Sequence, residues 1–122
     1  MEYKFTIFTP TYNRADLLKK LYESLKNQSF KNFEWLIVDD GSTDNTCETI
    51  QGFQEENIID IRYIKKENGG KQRAYNVGVE NAKGELFICL DSDDIYVENG
   101  LEIILKYWEK WRAYVLRVDK SR

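Results

Sequence analysis

Short apolar runs alternate along this chain with longer stretches whose apolar positions recur every three or four residues. Tyr3–Thr9 (YKFTIFT) interleaves Phe5 and Ile7 with polar residues and predicts a strand that stops at Pro10. Behind it, Leu17, Leu18, Leu21 and Leu25 keep helical spacing, with Asn13 as a candidate cap. Glu34–Val38 carries the continuous apolar run of a strand covered on both faces. The turn Asp39-Asp40-Gly41-Ser42 follows, and Ser42 or Thr43 can cap a helix reaching about Glu56. Ile58–Ile64 predicts a third strand, closed by the polar segment Lys65-Lys66-Glu67-Asn68-Gly69-Gly70. A helix over roughly Lys71–Ala82 and a fourth strand, Leu86–Leu90, come next. After Asp91-Ser92-Asp93-Asp94, the spacing of Leu101, Ile104, Leu105 and Trp108 predicts an amphipathic helix over about Glu98–Trp111. Ala113–Val118 reads as a short strand or a frayed end.

Strands separated by helix-length connections cannot pair as hairpins. They imply right-handed crossovers and an α/β fold with a doubly wound, mostly parallel sheet. Ligands of such sheets sit beyond the carboxyl ends of the strands. Asp39-Asp40 ends the second strand and Asp91–Asp94 the fourth, so one cleft can hold both acidic clusters.

Composition narrows the chemistry. The 122 residues suit one domain, given about 100–200 residues per domain, and 42% hydrophobic with 32% charged residues is a globular mix. No apolar run approaches the ~20 residues of a spanning helix, and no export signal is visible, which leads to a cytoplasmic expectation. The absence of histidine removes the Ser-His-Asp triad, the Cys-His pair and His-containing zinc sites. Cys47 and Cys89 lack CxxC spacing and read as buried, reduced thiols. A net charge of −3 argues against a general nucleic-acid partner. Carboxylates, lysines, backbone amides and a metal remain.

Asp91 and Asp93 stand two apart at a strand end, where side chains at i and i+2 point the same way. Two converging carboxylates repel unless a cation joins them, and oxygen ligands suit Mg²⁺ or Mn²⁺. A solvated acidic turn capping the next helix is the plainer alternative. Asp39-Asp40-Gly41-Ser42 is likewise explicable as turn chemistry, or as a carboxylate accepting from a base N–H or a ribose hydroxyl. Lys71 and Arg73 open a helix behind Asn68-Gly69-Gly70, where backbone N–H groups favour an anion, with solvated surface charge as the alternative.

Taken together, these segments resemble the nucleotide-sugar-binding half of family 2 glycosyltransferases, over about Phe5 to Trp111. Pro10-Thr11-Tyr12-Asn13-Arg14 is similar to the family's P-x-Y-N-R, and Val38-Asp39-Asp40-Gly41-Ser42-Thr43-Asp44 to its V-D-D-G-S-x-D. Asn68, Gly70, Ala74, Asn76, Gly78, Ala82 and Gly84 stand at the family's spacing before Leu90-Asp91-Ser92-Asp93-Asp94.

The resemblance implies a Rossmann-like GT-A nucleotide-sugar-binding domain over 1–112, with 113–122 a tail or the start of the acceptor-binding half. It implies that Pro10, Tyr12 and Asp40 border the nucleotide base, with Asn13 beside them and Asp39 supporting the turn or the ribose. Lys71 approaches the base and phosphates, and Asp91 and Ser92 the ribose or a metal-bound water. Asp93, with Asp91, ligates the Mg²⁺ or Mn²⁺ that bridges the diphosphate; Asp94 caps a helix at most. The implied activity is inverting transfer of a sugar, UDP-linked by default, to a glycan or lipid-linked acceptor in polysaccharide biosynthesis, from the cytoplasm or the inner membrane face.

No catalytic base is identified. The family's base lies well beyond the DxD, which places it past Arg122, and Asp119 comes too soon after Asp93 to match it. A donor-binding fragment is therefore expected, with exposed apolar surface that could favour a homodimer. The alternative is a non-catalytic nucleotide-sugar-binding or assembly module of the same fold. A receiver domain and an aspartate-nucleophile phosphohydrolase fit poorly: a full strand–helix unit precedes the first acidic pair, and Ile95 breaks the D-x-D-x-T pattern.

Overall fold

The computed structural model describes residues 2–91 and 98–120, the side chains of 111–120 excepted. Its elements run β1 (Tyr3–Thr11), α1 (Ala15–Lys26), β2 (Phe33–Asp39), α2 (Thr46–Glu56), β3 (Asp60–Lys65), α3 (Lys71–Asn81), β4 (Gly84–Cys89) and α4 (Gly100–Lys120). The strands form one sheet in the order β3-β2-β1-β4, and every pairing is parallel. The doubly wound α/β expectation holds.

Two apolar layers follow from strand alternation. Phe5, Ile7, Trp35 and Ile37 face α1, α2 and the start of α4, meeting Leu18, Leu21, Leu25, Ile50, Phe53 and Leu101. Tyr22, Trp35 and Phe53 stack there, the Tyr22 and Phe53 ring centroids 4.0 Å apart. Phe8, Leu36 and Val38 face the other way, onto Ala74 of α3. Gly78 of α3 lies so close to Phe8 that a Cβ there would come within 2.4 Å of the ring. β2, central and covered on both sides, is buried at every position, which is why its sequence does not alternate.

Several boundaries differ from expectation. β1 continues through Pro10 to Thr11. Leu90 N–H donates to the Phe8 carbonyl at 2.8 Å, and Thr11 accepts from Asp40 N–H at 2.9 Å. Pro10 thus faces the β4 side, where β4 has already ended, so its missing N–H costs no ladder bond. Asn13 does not cap α1; its φ of 52° lies in the left-handed region, and Arg14 is the N-cap residue without a side-chain cap bond. Neither Ser42 nor Thr43 caps α2; Asn45 is its N-cap, and the Asp44 carboxylate takes Thr46 N–H at 3.0 Å. Ala113–Val118 is neither strand nor frayed end, because α4 runs unbroken to Lys120.

Cys47 and Cys89 form no disulfide, as expected, but they are half-buried and exposed rather than buried. Among the described residues no helix is long and apolar enough to cross a membrane.

Candidate functional site

The direction of strand addition reverses between β1 and β4, and crevices of doubly wound sheets open at that switch point. A cavity of about 440 Å³ lies there. Pro10 to Arg14 enter it from the end of β1, Asp40 from behind β2, Lys71 and Ala74 from α3, and Asp91 from behind β4. Pro10, Tyr12, Asn13, Asp40, Lys71 and Asp91, all singled out by sequence, are therefore brought together. Ser92 and Asp93, with Asp94, lie outside the described residues. So does Arg122, and no described residue is assigned the role of catalytic base.

The adjacent aspartates part company. Strand alternation sends Asp39 to the face of Trp35 and Ile37, where it is fully buried. One oxygen takes both the Ser42 N–H (2.9 Å) and the Ser42 hydroxyl (2.6 Å); the other accepts from the Tyr63 hydroxyl. Burial and this bond together push the Tyr63 phenol well above its ordinary value. Asp39 does not line the cavity; it ties the β2–α2 turn to β3.

Asp40 faces the cavity. Its Oδ1 accepts from Lys66 Nζ (2.6 Å) and Gly69 N–H (2.9 Å), and Oδ2 from Gly70 N–H (3.1 Å). Burial alone would raise its pKa; the Lys66 ammonium and the two N–H groups outweigh burial and hold it below the ordinary 3.8. The N–H groups ahead of α3, read from sequence as an anion site, thus already hold an anion, and it is Asp40. Gly41 makes this approach possible: its φ is 85°, and a Cβ would sit 3.0 Å from the Asn68 nitrogen.

Asp91 follows Leu90, whose carbonyl accepts the Thr9 hydroxyl at 2.6 Å; Thr9 in turn takes the Trp35 indole N–H at 2.9 Å. A buried chain from β2 through β1 therefore fixes the residue before Asp91. Lys71 Nζ reaches Asp91 Oδ2 at 3.4 Å across the cavity mouth, both side chains well exposed. Asn13 fixes the opposite wall: its N–H donates to Ser42 Oγ (2.8 Å), and its Oδ1 accepts from the N–H groups of Thr43 (2.8 Å) and Asp44 (3.2 Å).

Sequence reasoning did not single out Thr11 as a site residue. The residue borders the cavity, while its hydroxyl is buried and has no hydrogen-bond partner among the described residues. Thr11 lies past the strand end that the sequence predicts at Pro10; continuing the strand by two residues includes it.

The glycosyl transferase family 2 model matches residues 6–121. The chain belongs to this family. Relatives are similar in sequence and in structure. A glycosyltransferase of Rickettsia felis is 40% identical over 107 residues, covering 88% of this chain and 17% of that protein. Residues 1–349 of S. aureus TarS, in complex with UDP-GlcNAc, superpose with a TM-score of 0.83 at 30% identity, over 89% of this chain and 32% of that one. The mannosyltransferase PcManGT of Pyrobaculum calidifontis, in complex with GDP-Man and Mn²⁺, gives 0.73 at 27% identity, over 76% and 28%. The chain thus carries the GT-A fold and spans well under half the length of these proteins.

Proposed function

We propose that this chain is the donor-binding part of an inverting glycosyltransferase that moves a sugar from a nucleoside diphosphate, UDP first, to an acceptor hydroxyl. One observation carries the reading. The cavity at the switch point gathers an anchored carboxylate, an exposed tyrosine, a lysine and a strand-end aspartate, in a chain that superposes on a UDP-GlcNAc-bound glycosyltransferase.

Each residue has work that suits its surroundings. Tyr12, 45% exposed, offers a ring face to the planar base beside Pro10. Asp40 accepts three hydrogen bonds, and an ionised carboxylate has about four acceptor sites, so it can take a base N–H as well. Lys71 can exchange Asp91 for a phosphate oxygen, since their ion pair is long and solvated.

The donor set fits a hard cation. Asp91 supplies a carboxylate at the cavity, and Asp93, outside the described residues, is the second oxygen ligand by sequence; Mg²⁺ or Mn²⁺ held there would neutralise charge on the departing diphosphate. Mn²⁺ in the PcManGT complex supports this. Deprotonation of the acceptor falls to a carboxylate that we assign to no residue up to Arg122, and the proposed setting is polysaccharide assembly on the cytoplasmic side.

Calorimetry of the chain against UDP, GDP and dTDP, with and without Mn²⁺, tests the reading. UDP binding strengthened by Mn²⁺, with that metal response lost in Asp93→Ala, is expected. Absence of binding to all three nucleotides would overturn it.

A further inference from the structure

Lys66 attracts no notice in the sequence, one lysine of Lys65-Lys66-Glu67 in a polar loop. The structure seats it with care. It stands one residue past β3, its N–H donating to the Asp39 carbonyl at 2.9 Å. The side chain turns inward and is only 16% exposed, against 12% for its partner Asp40. The ammonium donates to Asp40 Oδ1 at 2.6 Å and to the Glu67 carbonyl at 2.7 Å. Gly69 leaves room for it, since a Cβ there would lie 3.2 Å from Lys66 Nζ and 2.9 Å from Arg73 Cδ.

We infer that Lys66 is a positioning residue for nucleotide recognition: it locks one oxygen of Asp40 into the loop and leaves the other for the base. This rests on the donor-binding reading above. Lys66 does not line the cavity, so its influence on a ligand passes through Asp40. Oδ1 is shared between Lys66 and Gly69, whereas Oδ2 accepts one bond, from Gly70. Without the ammonium, the carboxylate keeps only the Gly69 and Gly70 N–H groups and can rotate or take up a proton. A protonated Asp40 presents a donor where the base also presents one.

The other charged and titratable groups around Asp40 do not replace Lys66. Asp39 turns to the opposite face; Lys71 is drawn to Asp91; Arg73 packs along Gly69; Arg14 and Tyr12 approach from the β1 wall. Opposite charge at this range moves a carboxylate pKa by about 1–3 units. Removing it therefore shifts the acid limit of binding upward rather than weakening binding equally at every pH.

The test compares the whole chain with Lys66→Met and Lys66→Arg, by UDP calorimetry from acid to neutral pH and by NMR titration of the Asp40 carboxyl. Lys66→Met should bind UDP at least ~10-fold more weakly than the wild type on the acid side, with the Asp40 midpoint raised by about a unit or more, and Lys66→Arg should restore both. A uniform loss across pH with an unmoved Asp40 midpoint would make Lys66 merely structural and overturn the inference. If the wild-type chain binds no nucleotide, the functional reading falls; the Asp40 titration then still decides whether Lys66 governs that carboxylate.

Discussion

Each end of the sheet carries a buried carboxylate held by a basic residue from the β3 side, and the two differ in what is left over. At the amino end, Glu34 on β2 accepts from Thr6 of β1 (2.6 Å), twice from Arg62 of β3 (2.7 and 3.3 Å), and from Lys83 N–H beside β4 (2.7 Å). Thr6 also takes Gly84 N–H at 2.8 Å, so one cluster joins all four strands. Its acceptor sites are filled and it is 1% exposed. At the carboxyl end, Asp40 keeps acceptor capacity and faces a cavity. Similar chemistry, saturated, makes a joint; short of saturation at a crevice, it leaves an acceptor facing open space.

That contrast can be broken by mutation. Glu34→Ala should cost about 3–5 kcal/mol of stability, because Arg62 loses its charged partner while the Thr6 hydroxyl and the Lys83 N–H lose their acceptor. Urea denaturation measures this, and nucleotide affinity of the molecules still folded should not change. Asp40→Ala should do the reverse, weakening UDP binding roughly 10- to 100-fold, the worth of a hydrogen bond to a charged group, with a smaller stability loss than Glu34→Ala. Equal effects of the two variants on both measurements would erase the distinction.

Acid sharpens the comparison further. Burial would raise the Glu34 pKa, but Arg62, Thr6 and the Lys83 N–H hold it below the ordinary 4.5. Asp40 is likewise held below 3.8. A depressed folded-state pKa means stabilisation that is complete above the unfolded value and lost as pH falls through the folded one. Glu34→Gln should flatten the fall in stability below pH 4.5, while Lys71→Ala, breaking an exposed pair, should change stability by no more than about 1 kcal/mol.

Much of this was legible in residue order. Alternation and period located four strands and the helices between them, and strand ends located Asp40 and Asp91. The different fates of Asp39 and Asp40 follow from alternation too, once Trp35 and Ile37 are assigned to one face. What escaped reading depends on pairing. Pro10 looks like a stop until β4 is known to end beside it. Asn13 looks like a helix cap until the neighbouring loop arrives to use its side chain. Lys66 looks solvated, as lysines in polar loops usually are, because nothing local announces that Asp40 lies opposite.

The strand order β3-β2-β1-β4 has a consequence for how the chain is made. Once Lys65 has left the ribosome, β1, β2 and β3 can assemble with α1 and α2 against one face. β1 sits in the centre of the sheet, yet its second edge, Tyr3 to Phe8, has no partner until Gly84–Cys89 has been synthesised. Until then the nascent chain displays an apolar, unpaired edge of the kind that recruits other strands. Yield in expression should therefore be sensitive to pauses between the third and fourth strands, and to co-expressed chaperones, in ways that no measurement on the finished fold would disclose.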